Sequence, residues 1–238
     1  PMTTKDEITI RTPDALLNGQ SVVSVIESCC PQIKDAWQMP SIDSDAVLIA
    51  IRIASYGQDM DVTTICPNEK CKHENSHALN LTGVLDSIAS PNYNVMLSVN
   101  GLKIKLKPLS YQEATKNNLS TFEEQQLLSI INNDEISDEE KTETFKKHLQ
   151  RMVDLNMQAL ASTTEYIEAD GEKVDNRDFL LEFYNNADAK IIKTVRDKLE
   201  EHAKTAALPN PKIKCEQCET EYPVQLGFDY ANFFVNAS

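Results

Sequence analysis

Glycine is scarce: only six occur in the 238-residue chain, and nowhere do they gather into a loop. The Gly-rich backbone cradles that hold nucleotide phosphates are therefore excluded. No stretch reads as a zinc-hydrolase helix, and the Gly-x-Ser-x-Gly elbow of serine hydrolases is missing. Positive charge is also short, with 23 Lys and Arg against 37 Asp and Glu, a formal charge of −14. A nucleic-acid binder displaces counterions with a basic face, and this balance gives no sign of one. Lys103, Lys105 and Lys107 alternate on a predicted strand, a pattern that usually solvates a strand face or blunts a sheet edge. No apolar run reaches the roughly 18 residues that a membrane-crossing helix needs. The segment Pro1-Met-Thr-Thr-Lys-Asp-Glu7 lacks the apolar core of a signal peptide. The expectation is a reducing, intracellular setting, with neither membrane nor nucleic acid as partner.

Cysteine, by contrast, is patterned. Cys66-Pro-Asn-Glu-Lys-Cys71 and Cys215-Glu-Gln-Cys218 form two close pairs separated by most of the chain. Each pair precedes a short alternating segment, Ser76–Leu81 after the first and Glu221–Leu226 after the second. Knuckle then strand, twice, is the layout of a zinc ribbon. Four thiolates complete a tetrahedral site and leave no position for substrate, so one structural zinc per chain on Cys66, Cys71, Cys215 and Cys218 is the expectation. Reduced core cysteines or a disulfide set are the competing readings. Lys70, Lys72, Lys212 and Lys214 flank the pairs and are candidate donors to the thiolates. His73 is an alternative ligand; His77 and His148 are read as surface residues. Cys29-Cys30 is read as a reduced pair at a helix end.

Thr12-Pro13-Asp14 marks a helix start, and Leu16, Leu17, Val22, Val23, Val25 and Ile26 supply its apolar face. A second helix is expected after Pro40-Ser41, with Asp43 and Asp45 near its positive end. Its centre, Ala46 to Ala54, is apolar nearly all round and should be buried on most sides; Tyr56-Gly57 ends it. Asp61–Ile65 reads as a strand, and Asn94–Val99 with Leu102–Lys107 as a hairpin across Asn100-Gly101. Ser110-Tyr-Gln-Glu113 and Ser137-Asp-Glu-Glu140 fit the capping box. The second opens a helix with Phe145, Leu149, Met152, Val153, Met157 and Leu160 on one face, and a later helix carries Ile191, Val195 and Leu199. Asn132–Glu135 is a solvated turn. Asp170-Gly171 is a turn without a calcium ladder, and Asp138-Glu139-Glu140 is a charged first helical turn. The predicted class is α+β, mainly helical, with a small zinc-ribbon-like β subdomain split by a helical insertion. The expected boundaries are 1–109 for N-terminal helices, first knuckle and hairpin; 110–208 for the insertion; and 209–238 for the second knuckle and an aromatic tail. That tail, Phe228, Tyr230, Phe233 and Phe234, either docks on the core or anchors a partner.

Several stretches together resemble the T4-type phage base plate protein family. They are Leu16-Leu-Asn-Gly19, Val25-Ile-Glu-Ser-Cys29, Pro40-Ser-Ile-Asp43, Ala50-Ile-Arg-Ile-Ala-Ser-Tyr-Gly57, Leu106-Lys-Pro-Leu-Ser-Tyr111 and Asp229-Tyr-Ala-Asn-Phe-Phe234. The resemblance implies a non-enzymatic structural protein of the baseplate hub of a contractile-tailed phage, made and assembled in the host cytoplasm. It also implies other baseplate and tail hub proteins as partners, in several copies per baseplate. Zinc is suggested by the residues and not by the resemblance. The alternatives are an assembly factor or chaperone that leaves before maturation, and a zinc-ribbon regulator that binds nucleic acid.

Overall fold

The computed structural model describes residues 1–12, 19–131, 137–224 and 233–234, without the side chains of 125–131 and 138. The expectations for Pro13 to Leu17, for the turn at 132–135, and for Phe228 and Tyr230 lie outside these residues. Helix makes up 53% of the chain and strand 19%, which is the expected α+β class. Two compact units emerge. The first joins Pro1–Ala36, Asp43–Ser90 and Thr205–Ser238; the second joins Trp37–Ile42 and Pro91–Lys204.

In the first unit, α1 (Thr4–Ile10) is opened by a capping box between Thr3 and Asp6. This short helix was not foreseen, although Thr-x-x-Asp is a polar spelling of that box. It is tied to α3 (Ser44–Tyr56) by Met2 N–H donating to Ser55 Oγ and by Tyr56 OH donating to Glu7 Oε1, at 2.8 and 2.7 Å. Between them, α2 (Gln20–Cys29) buries Val22, Val23, Val25 and Ile26. Gly19 precedes it with φ 76, a left-handed conformation that favours glycine. α3 buries Leu48, Ile49, Ile51 and Arg52, while Ala50 and Ala54, one turn apart, stay exposed. The helix is therefore not buried all round; its outward stripe is made of the smallest apolar side chains. Gly57, at φ 93, ends it with its N–H on Ile53 O at 3.0 Å. β1 (Asp59–Ile65) and β2 (Glu74–Asn80) pair antiparallel, α4 (Leu81–Ser87) follows, and β7 (Lys212–Lys214) pairs with β8 (Glu221–Pro223). Phe233 and Phe234 are buried, with the Arg52 guanidinium 5.4 Å from the Phe233 ring centroid. These two tail aromatics dock on their own chain.

The second unit is built on a four-stranded sheet ordered β3-β4-β5-β6: Leu97–Val99, Leu102–Leu106, Thr164–Ala169 and Glu172–Val174. Asn100-Gly101 and Asp170-Gly171 have φ of 50 and 80, and 51 and 86, the left-handed pair of a tight hairpin turn. The segment expected to be a helical insertion also holds two strands, and β5 pairs with β4 from Lys103↔Glu168 to Leu106↔Thr164. A lone hairpin is marginal in water; pairing with β5 gives β3–β4 an apolar face to share. Four helices complete the unit: α5 (Tyr111–Ile131), α6 (Asp138–Ser162), α7 (Arg177–Asn186) and α8 (Ala189–Ala206). Both foreseen capping boxes form, Ser110 with Glu113 and Ser137 with Glu140. The core gathers Ile104, Leu106, Leu160, Ile167, Leu180 and Val195, and the Tyr184 hydroxyl meets Thr164 Oγ1 at 2.6 Å inside it.

The long face expected along α6 is used only at its C-terminal end. Met157 and Leu160 are buried, whereas Phe145, Leu149 and Val153 are about half exposed. His148, read as a surface residue, is buried instead: its Nδ1 lies 3.0 Å from Glu124 Oε2, and Arg151 Nε meets the other oxygen of that carboxylate. This contact is polar, and the apolar residues Phe145, Leu149 and Val153 do not share it. Lys103 pairs with Glu168 at 2.9 Å on the neighbouring strand, a cross-strand ion pair. No helix among the described residues is long and apolar enough to cross a membrane.

Candidate metal centre

The loop between β1 and β2 carries Cys66 and Cys71, and the loop between β7 and β8 carries Cys215 and Cys218. Their sulfur atoms all lie within 4.8 Å of one another, although Cys71 and Cys215 are 144 positions apart. Cys66 and Cys215 are buried, and Cys71 and Cys218 are half-buried. Sγ of Cys66 and Cys218 are 3.6 Å apart, and those of Cys71 and Cys215 are 3.8 Å apart. Disulfide sulfurs would sit at about 2.05 Å. The edge of a tetrahedron with metal–sulfur bonds of about 2.3 Å is roughly 3.8 Å. The four thiols are free, two of their separations match that edge, and the group could hold one metal ion.

The two knuckles repeat one construction despite their unequal loops. The N–H of the first cysteine donates to the carbonyl two residues past the second: Cys66 to His73 O at 2.9 Å, and Cys215 to Thr220 O at 3.0 Å. The residue following the second cysteine donates back four positions, Lys72 to Asn68 O and Glu219 to Cys215 O. Both Lys72 and Glu219 are left-handed, at φ 48 and 57, a conformation that costs a side-chain-bearing residue about 1–2 kcal/mol. Each sulfur in turn receives backbone N–H groups: from Asn68 onto Cys66, from His73 onto Cys71, from Gln217 and Cys218 onto Cys215, and from Thr220 onto Cys218. Such donors stabilise thiolate. Burial and the neighbouring thiols push Cys66 up to about 12, while the Thr220 hydroxyl and N–H hold Cys218 down at about 6. A bound cation would deprotonate the set outright. The flanking Lys70, Lys72, Lys212 and Lys214 are all exposed; the described donors to sulfur are chiefly backbone groups.

A buried amide couples the halves. Asn75, fully buried on β2, accepts from Glu216 N–H at 2.9 Å and donates to Tyr222 OH at 3.0 Å and to His73 O at 3.1 Å. Tyr222 OH meets Thr64 Oγ1 at 2.8 Å. This network spans both knuckles without involving sulfur. Sequence spacing gave no hint of it, because an Asn beside a knuckle looks like a turn residue.

His73-Glu74-Asn75-Ser76-His77 has the spelling of the metalloprotease motif, which requires a helix to bring the two histidines onto one metal. Here residues 74–80 form β2, where positions four apart are separated by about 13 Å along the strand. Neither histidine joins the metal-ligating cluster found among the described residues. His73 serves through its carbonyl. His77 is half-buried with Nε2 enclosed, not a plain surface residue, and it lines a small cleft with Val62, Ile213 and Val224.

The described residues thus form a small ribbon in which four sulfurs converge, and a helix-and-sheet unit. The family model of the T4 bacteriophage base plate protein matches residues 1–235, and the chain belongs to that family. This membership supports a structural component of the phage baseplate. No curated protein and no solved structure matches the chain significantly.

Proposed function

We propose that this chain is a structural subunit of the baseplate hub of a contractile-tailed phage. It acts through interfaces with other tail proteins, in several copies, and has no chemistry of its own. The observation that supports this is the family match over residues 1–235. In this reading Cys66, Cys71, Cys215 and Cys218 hold one structural zinc, supported by their tetrahedral spacing and full set of N–H donors. The metal would close the ribbon around the chain between its two knuckles. Structural zinc contributes folding free energy directly, which suits a β module with few buried apolar side chains. The expected test result is that mass spectrometry of purified virions finds the chain in the baseplate fraction. Its absence from mature particles would favour a departing assembly factor.

A further inference from the structure

A groove of about 700 Å³ runs over the open end of the four-stranded sheet, between β6 and α7. Its floor is apolar, from Leu102, Ile167, Leu180 and Phe183. Two large apolar residues stand at its mouth, Val174 at 41% and Phe179 at 61% exposure. A side chain as large as Phe179 gains little from sitting in water; covering it would remove more apolar area than any other single residue here. Three carboxylates, Glu172, Glu182 and Asp188, share the lining, and no Lys or Arg does among the described residues. Asp188 is partly engaged, accepting from Asn100 Nδ2 at 2.7 Å and from Ile191 N–H. Glu172 and Glu182 are exposed.

We propose that this groove docks an apolar side chain carried on a Lys- or Arg-flanked segment of another tail subunit. Charge selects the occupant. A second copy of this chain, at formal charge −14, would bring carboxylates against carboxylates, whereas a basic segment would pair with Glu172 and Glu182 while its apolar residue fills the space beside Phe179. Aromatic anchors that become buried and ringed by contacts excluding water carry much of the energy of a binding hot spot. The proposal deepens the baseplate reading and rests on it for the source of the partner.

The test places p-benzoylphenylalanine at position 179 in assembling phage, irradiates purified baseplates and sequences the cross-linked peptide. The expected product joins position 179 to a Lys- or Arg-rich segment of a different baseplate protein. A cross-link to a second copy, to this chain itself or to an acidic segment overturns the proposal, as does no cross-link. In parallel, Phe179→Asp and the Glu172→Lys, Glu182→Lys pair should each cut incorporation into baseplates roughly tenfold or more, the scale of losing a hot spot. Their melting curves should match wild type, because all three residues are exposed. Wild-type protein in baseplates together with full incorporation of these variants sinks the groove alone. Wild-type protein missing from baseplates removes the hub reading and the groove together.

Discussion

Strands of three residues occur in both units, and they are held in different ways. β3 belongs to a sheet whose core includes its own Val99 together with Ile104, Leu106, Leu160, Leu180 and Val195. β7 and β8 stand over a cluster whose buried members are Cys66, Cys215 and Tyr222. The first arrangement removes enough apolar surface from water to hold short strands by packing. The second cannot, and replaces area with four convergent sulfurs and one buried amide network. The difference teaches that short strands need a neighbour of some kind, carbon in one unit and, in our reading, metal in the other.

The sharpest way to break this comparison is to remove the metal. Strong chelation, or Cys215→Ser, should abolish stoichiometric zinc and unfold the ribbon, since structural zinc is worth about 10 kcal/mol or more in small domains. Hydrogen exchange should then speed up at β1, β2, β7 and β8 and stay slow at β4 and β5. Equal loss of protection in both units would erase the distinction. The reciprocal change is Ile104→Ala, which should cost the second unit about 2–5 kcal/mol in chemical denaturation and leave metal content at one per chain.

Asn75→Ala probes the ribbon without touching sulfur. It strands the Glu216 N–H and should cost about 1–3 kcal/mol, with zinc still bound but released sooner to a competing chelator. Smaller, and of opposite sign, is the effect of Lys72→Gly or Glu219→Gly. Each should raise ribbon stability by about 1 kcal/mol, because glycine takes the left-handed conformation at little cost. Thermal melts of the zinc form give the sign.

The smallest effect concerns pH and only the second unit. His202 is buried, 4.3 Å from the Tyr93 ring, and burial lowers its proton affinity. Unfolded, it would bind a proton near pH ~6.5; folded, it does so only at lower pH. Unfolding therefore takes up a proton in that window, so the stability present above pH ~6.5 declines as pH falls through the folded value. His202→Phe should flatten this slope in urea titrations between pH 7 and 5.

The grouping of the four cysteines, both capping boxes, the Asn-Gly hairpin and the Gly57 stop were legible because each rests on a local rule with fixed spacing. What escaped depended on partners far along the chain. Thr164–Ala169 and Glu172–Val174 flank an Asp-Gly turn, a hairpin signal as strong as Asn100-Gly101, yet they sat among helical patterns and only pairing with β4 reveals their role. The stripe Phe145, Leu149, Val153 has the right helical period for a core, but it is His148 that is buried, against Glu124, with exposed Arg151 pairing to the same carboxylate. Periodicity shows that a face exists, not which face is covered. Asn75 and Tyr222, 147 positions apart, could be joined only by the fold.

The central claim is that a metal ion closes two knuckles 144 positions apart. Elemental analysis of the native protein, paired with a thiol titration, tests it most directly. The account predicts about one zinc per chain and four thiols protected until the metal is chelated. A fully folded, metal-free protein with all six cysteines freely reactive would contradict it.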